Sequence, residues 1–455
     1  MRMLNNNKIN LQRWIPFLVI GIIIFIVALG VGSITFKKQS RNQTPKQLNQ
    51  TSEQLNDTRV KITSKRRLLE TNFSQNYVCL AFSPWSPNSR KFIFLNPISE
   101  TGESNFLIYN LDENKIYDSK LKYGGIPNCP DEEGQSFWFN NGSVGIIERV
   151  LGAYFLGQPP QFNFSLVYKI KYPGWSIDFN HDGKEIVFVD ENKEIKILNL
   201  FSKESKTLFK DENKKEGFGF LDGKWSPDGK YIAFLQKIEA EEETEKFFLY
   251  LYSLEENKEQ LKNLGELSHS PYWRFQDAPL FSYSYWQKLD WSFDSKYIRA
   301  GFGDIFSLDG KFIRKGGGDL GENSFFSPDS KRLLIQNVDY PIFEEDIEHR
   351  RDYGPEYPQI SLSIIDIDSG AEIKIAEEKS QIRYRASLSG TWSPNGNKII
   401  YSYNQHLWVI NSDGTDRQRL TVEGKNYLNP QWSPDGRSLI YEADGDIWLA
   451  ALEFY

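Results

Sequence analysis

Apolar and polar residues alternate in short runs along most of this chain, and one ten-residue pattern organises them. Its sharpest copy is WSPDGRSLIY, from Trp432 to Tyr441. Close copies start at Trp85, Trp225, Trp291 and Trp392, and looser ones at Trp138, Phe179 and Phe326, which makes eight. Each copy opens on an aromatic and has Asp or Asn three residues later: Asn88, Asn141, Asp182, Asp228, Asp294, Asp329, Asn395 and Asp435. Apolar residues follow at two-residue spacing, as in Ile232 and Phe234 or Leu439 and Tyr441. Side chains two apart share one face of a strand, so this spacing predicts a strand after each copy. The Pro-Asp-Gly between aromatic and strand predicts a tight turn, with Gly taking the left-handed position. Three copies carry Ser there instead (Ser89, Ser295 and Ser330), so those turns are expected to be more strained or of another type.

A further strand follows most copies, at 105–111, 194–200, 247–254, 361–367, 406–412 and 446–452. A fourth is expected at 206–209 and 417–421. Four antiparallel strands per repeat is a propeller blade, and the aromatic is read as a wedge between blades. The anchor residues lie 35 to 66 residues apart, so the longest repeats must hold insertions. The fold class expected is all-β: one β-propeller of eight four-stranded blades, or seven if the degenerate Trp138 unit is an insertion. After DIWLAALEFY no fourth strand remains in the last repeat. Residues 59–70 are expected to pair there and close the ring, which removes an open sheet edge.

The W-S-P-D-G-[KR]-x-[IL]-x-[FY] pattern resembles the TolB-type propeller repeat, shared with the propellers of prolyl oligopeptidase and dipeptidyl-peptidase IV-like proteins. The resemblance covers roughly 75 to 455. It implies the fold and an exported location, and leaves function open, since that propeller serves binders, peptidase gates and some lyases.

Composition changes the picture at the N-terminus. Residues 14–36 carry no charge, enough for a membrane-spanning helix and longer than the usual apolar core of a cleaved signal. They are read as an anchor between a short cytoplasmic end (1–13) and a polar tether (37–58), with a propeller (59–455) outside the cytoplasm, periplasmic or at the cell surface. Flanking positive charge is nearly balanced and sets no orientation by itself. Net charge is −7, which disfavours a nucleic-acid partner.

Chemistry is sparse. The four histidines, His181, His269, His349 and His406, show no metal-ligand spacing, so neither metal nor cofactor is expected. There is no GxSxG nucleophile motif. His181 and the Asp-rich runs at 366–370 and 411–416 are read as turn residues. Cys79 and Cys129 precede the inner strands of neighbouring blades, and an exported location permits a disulfide between them. Three stretches depart from the repeat: 149–164, 268–287 and 339–359. Aromatics mixed with Arg fit a contact surface, so Tyr272, Trp273, Arg274 and Tyr285 are the candidate binding residues. The first functional expectation is a non-catalytic, membrane-anchored module presenting a rim to a protein, peptide or envelope glycan. The alternative is a polysaccharide lyase or hydrolase with its site in the central channel, which requires polar residues to converge on the axis from several inner strands.

Overall fold

The computed structural model describes Arg59 to Tyr455 apart from connecting stretches, the longest being 70–78, 125–133, 211–218, 269–288, 340–358 and 380–389; residues 1–58 are outside it. The described residues form eight four-stranded antiparallel blades. Their first strands are Cys79–Trp85, Gly134–Trp138, Ile177–Phe179, Gly219–Trp225, Asp290–Trp291, Glu322–Phe326, Gly390–Trp392 and Tyr427–Trp432. Six are edges of their sheets; Cys79–Trp85 and Gly134–Trp138 pair parallel with each other within one eight-stranded sheet, and the first strands of blades three and four and of blades seven and eight also approach one another. These strands therefore border the axis of the ring. The eighth blade takes its outermost strand, Val60–Leu69, from the N-terminal side; it pairs antiparallel with Asp446–Phe454.

The repeat motif builds the ring. Every blade-to-blade interface has one apolar cluster, and each cluster holds one wedge aromatic. Trp85 packs on Ile440, Ile447 and Leu449 of the last blade, and Trp225 packs on Val187, Ile195 and Ile197 of the third. Two wedges also donate their indole N–H backwards: Trp291 to the Lys224 carbonyl at 3.2 Å and Trp392 to that of Phe325 at 3.1 Å. Burying a large ring and satisfying its polar edge is the use to which Trp is suited.

The serine after the wedge is the keystone of the turn. Ser433 Oγ donates to Asp435 at 2.6 Å and accepts the Ser438 N–H at 2.8 Å. Ser86, Ser226, Ser292 and Ser393 repeat this arrangement. In the third blade Asn180 replaces serine, and its Oδ1 accepts the N–H groups of Lys184 and Glu185. The turn carboxylates are strong acceptors. Burial raises the pKa of Asp182, Asp294 and Asp329, but hydrogen bonds from Lys184, from Lys296 and Ser292, and from Ser327 prevail and hold all three below the ordinary value.

One expectation is resolved and another corrected. The serine turns are the strained alternative, not another type: Ser89, Ser295 and Ser330 adopt φ of 58°, 59° and 60°, beside 70° to 71° for Gly183, Gly229, Gly396 and Gly436. Each serine hydroxyl accepts a backbone N–H from the preceding blade, a bond glycine cannot make. Much of the stretch 149–164 is also regular structure. It contains Ala153–Gln158, the third strand of blade two, and enters Asn163–Lys169, its fourth. The Trp138 unit is thus a full blade. The Asp-rich runs are hairpin turns, with Gly370 and Gly414 at positive φ.

Candidate functional site

The position just before the wedge aromatic is where the blades differ most at the axis. It holds Pro84, Phe137, Asp178, Lys224, Asp290, Phe325, Thr391 and Gln431. In blades three to five it is charged, and blade six follows with an aromatic. The wedge points to the preceding blade, so its neighbour on the strand points to the following one. Asp178 Oδ2 accordingly accepts the backbone N–H of Trp225 at 2.9 Å. Lys224 Nζ lies 3.5 Å from Asp290 Oδ1, with side chains 23% and 33% exposed. Asp290 Oδ1 also accepts the Trp291 N–H at 3.0 Å.

Behind Asp290 is Arg299, its cross-strand partner. The matching residue elsewhere is Ile93, Ile146, Val187, Ala233, Leu334, Ile400 or Ile440, so one blade has replaced an apolar core position with a guanidinium. Arg299 is 2% exposed. A buried cation is tolerated where carboxylates and acceptors surround it. Next in the row is Phe325, 38% exposed beside the buried Phe326. Two carboxylates, a lysine and an exposed ring therefore sit at one register position on four consecutive axial strands. Sequence reasoning passed over this row because it followed the conserved frame of the motif; the signal was Arg299, a charge in an apolar column.

A second concavity opens between blades three and four. It is a groove of about 470 Å³ lined by His181, Glu185, Asn199, Glu204, Lys206 and Trp225, among others. It lies at an interface that has Gly229 in place of a bridging serine, and the His181 ring takes the space a Cβ on Gly229 would need.

The other predicted residues are not brought into either place. Tyr272, Trp273, Arg274 and Tyr285 lie outside the described residues, as do residues 14–36, His269, His349 and Cys129. Cys79 begins the first strand of blade one; the expected disulfide lies outside the description with Cys129. Among the described residues no helix is long and apolar enough to cross a membrane. No three His, Cys, Asp or Glu side chains among them gather as metal ligands.

The chain is thus an eight-bladed β-propeller with a polar row on its axial strands. No family model matches it, and no curated protein is similar to it in sequence. Among solved structures it is similar in fold to an oligogalacturonate lyase from Vibrio parahaemolyticus. Identity is 10%, coverage is 87% of this chain and 98% of that one, and the TM-score is 0.42. An oligogalacturonate lyase in complex with manganese gives 10%, 87%, 96% and 0.44. At this identity the likeness is one of fold. Both neighbours are lyases by name, against the expectation of a non-catalytic module, which is not kept.

Proposed function

We propose that the chain is a polysaccharide-degrading propeller enzyme whose site is the axial row Asp178, Lys224, Asp290 and Phe325. The observation that carries the reading is the shared register position of these residues on four consecutive first strands, with Lys224 3.5 Å from Asp290 and Arg299 paired across from it. Sugars are held by hydrogen bonds from carboxylates and cations and by contact of their C–H faces with an aromatic ring, and the row offers all three. The cations favour an acidic sugar and elimination. Lys224 neutralises the uronate carboxylate, which makes the adjacent C–H acidic. A carboxylate of the row removes that proton, a C=C bond forms, the C–O bond to the neighbouring sugar breaks, and the departing oxygen takes up a proton from the carboxylic acid so formed, directly or through water. In this reading residues 14–36 hold the propeller at the membrane on the extracytoplasmic side, as the TolB-type repeat signature supports, and 37–58 are the tether.

The test is incubation of the full-length protein with a panel of acidic and neutral polysaccharides, followed by product sizing and near-ultraviolet absorbance. Elimination creates an absorbing unsaturated uronate and hydrolysis does not. Lys224→Ala and Asp290→Asn are expected to lower the rate at least about a hundredfold. Absence of depolymerisation across the panel, or full activity in both variants, overturns the reading.

A further inference from the structure

The face that blade seven turns towards blade six gathers three aromatic rings about one cation. Tyr401 and Tyr403 are two apart on the strand Lys398–Tyr403 and share a face. Trp408, on His406–Asn411, is the cross-strand partner of Tyr401. The guanidinium carbon of Arg417 lies 4.5 Å from the Trp408 ring, 4.7 Å from that of Tyr403 and 5.7 Å from that of Tyr401. The Tyr403 and Trp408 rings are 6.3 Å apart at 70°. They form two walls of a box, with Tyr401 as the third side. Trp408 Nε1 donates to the Tyr403 carbonyl at 3.0 Å and fixes one wall.

Two features set this box apart from a structural cation–π contact. Arg417 is exposed and has no carboxylate partner among the described residues. Four of the other seven described cations over rings do: Lys65 pairs with Glu423, Lys425 with Asp444, Lys61 with Glu453 and Arg332 with Asp329. At the base of the box is fully buried Tyr401, whose hydroxyl interacts with Arg417. Burial pushes its pKa up to about 12, against the charge of Arg417. The box is therefore built, electron-rich and filled by a side chain that can return to water when it leaves.

We propose that the Tyr401, Tyr403 and Trp408 box is a binding site for a quaternary ammonium group, with Arg417 as an internal occupant that the ligand displaces. Such a group makes no hydrogen bonds, is lightly hydrated and is attracted by ring faces, so a cage of this kind suits it. The inference is independent of the catalytic reading, since blade seven contributes Thr391 to the axis and nothing to the charged row.

Ligand-observed NMR on the full-length protein tests it, with tetramethylammonium, choline and the neutral choline isostere 3,3-dimethylbutan-1-ol as probes. Arg417→Gln and Arg417→Ala are expected to bind both cations about tenfold more tightly than the wild type, and Arg417→Gln with Tyr403→Leu to lose that gain. A monomeric short-chain phosphatidylcholine, compared with free choline, separates a lipid headgroup from a soluble source. Tighter binding of either supports the site and assigns its source. Equal binding of the neutral isostere, equal binding by wild type and both variants, or no binding by folded Arg417→Gln overturns the proposal.

Discussion

Ser89 Oγ accepts the backbone N–H of Asp435 at 2.9 Å, across the seam where the last blade meets the first. The same bond joins Asp228 to Ser295 at 3.1 Å and Asp294 to Ser330 at 3.0 Å. Serine in the left-handed region costs about 1–2 kcal/mol relative to glycine, and a buried hydrogen bond returns about 1 kcal/mol. Ser89→Ala keeps the backbone cost and leaves an N–H unpaired, so it should destabilise by about 1–2 kcal/mol. Ser89→Gly relieves the backbone while losing the bond, and should stay within about 1 kcal/mol of wild type. Urea unfolding ranks the three; an Ala variant as stable as wild type would show that the bond contributes nothing.

This pair marks where sequence reading stops. Period-two strands and Pro-Asp-Gly turns are local, so wedge, turn and blade number were legible from residues such as Trp432, Asp435 and Leu439. What Ser89 bonds to is set by a residue 346 positions away, and no local pattern carries that. The axial row escaped for a similar reason. Asp178, Lys224 and Asp290 are ordinary polar residues within their own strands, and gain meaning once closure places those strands side by side. Blade two was underestimated because its strands depart from the motif; Gly145 stands where the frame wants an apolar side chain, against the Tyr154 ring.

Gly229 is held to glycine by its neighbour as well as its backbone. Its φ is +71°, and a Cβ there would lie 2.8 Å from His181 Nδ1. Gly229→Ala should therefore cost about 2 kcal/mol or more, combining backbone strain with the displaced imidazole. Removing the ring with His181→Ala in the same chain should recover part of that loss, and the two changes should be non-additive. A double-mutant cycle by denaturant unfolding measures this; strict additivity would mean the ring and the glycine do not interact.

Acid should weaken the turns, because their carboxylates bind protons less readily in the folded chain than in the unfolded one. The pKa values of Asp182, Asp294 and Asp329 are lower in the folded protein than the ordinary ~3.9 of an unfolded chain. A depressed carboxylate contributes stability above its unfolded pKa, and that stability is lost as pH falls through the folded value. The loss should start near pH ~4 and continue below it. Asp329→Asn should flatten this part of the profile and lower stability at neutral pH. Thermal unfolding between pH 2.5 and 7 would show it, and an unchanged slope in the variant would count against the turn carboxylates as the cause.

The closing strand is held at both ends by blades other than the one it completes. At its start, the Gln418 amide of blade seven donates to the Val60 carbonyl at 2.8 Å and accepts its N–H at 3.4 Å. Further along, Arg66 donates to Tyr109 and Asn114 of blade one, while Arg67 pairs with Asp446 of blade eight at 2.8 Å. The strand is therefore a clasp over three blades, and its loss should cost more than one sheet ladder. Gln418→Ala and Arg66→Ala should each destabilise by about 1 kcal/mol, nearly additively, because they act at separate points. Deleting Arg59 to Leu69 should expose the edge of Asp446–Phe454 and release both neighbouring blades. The expected result is a lower, broader melting transition and self-association by light scattering. A truncated chain that stays monomeric and melts with the wild type would mean that the ring closes through its apolar seam alone.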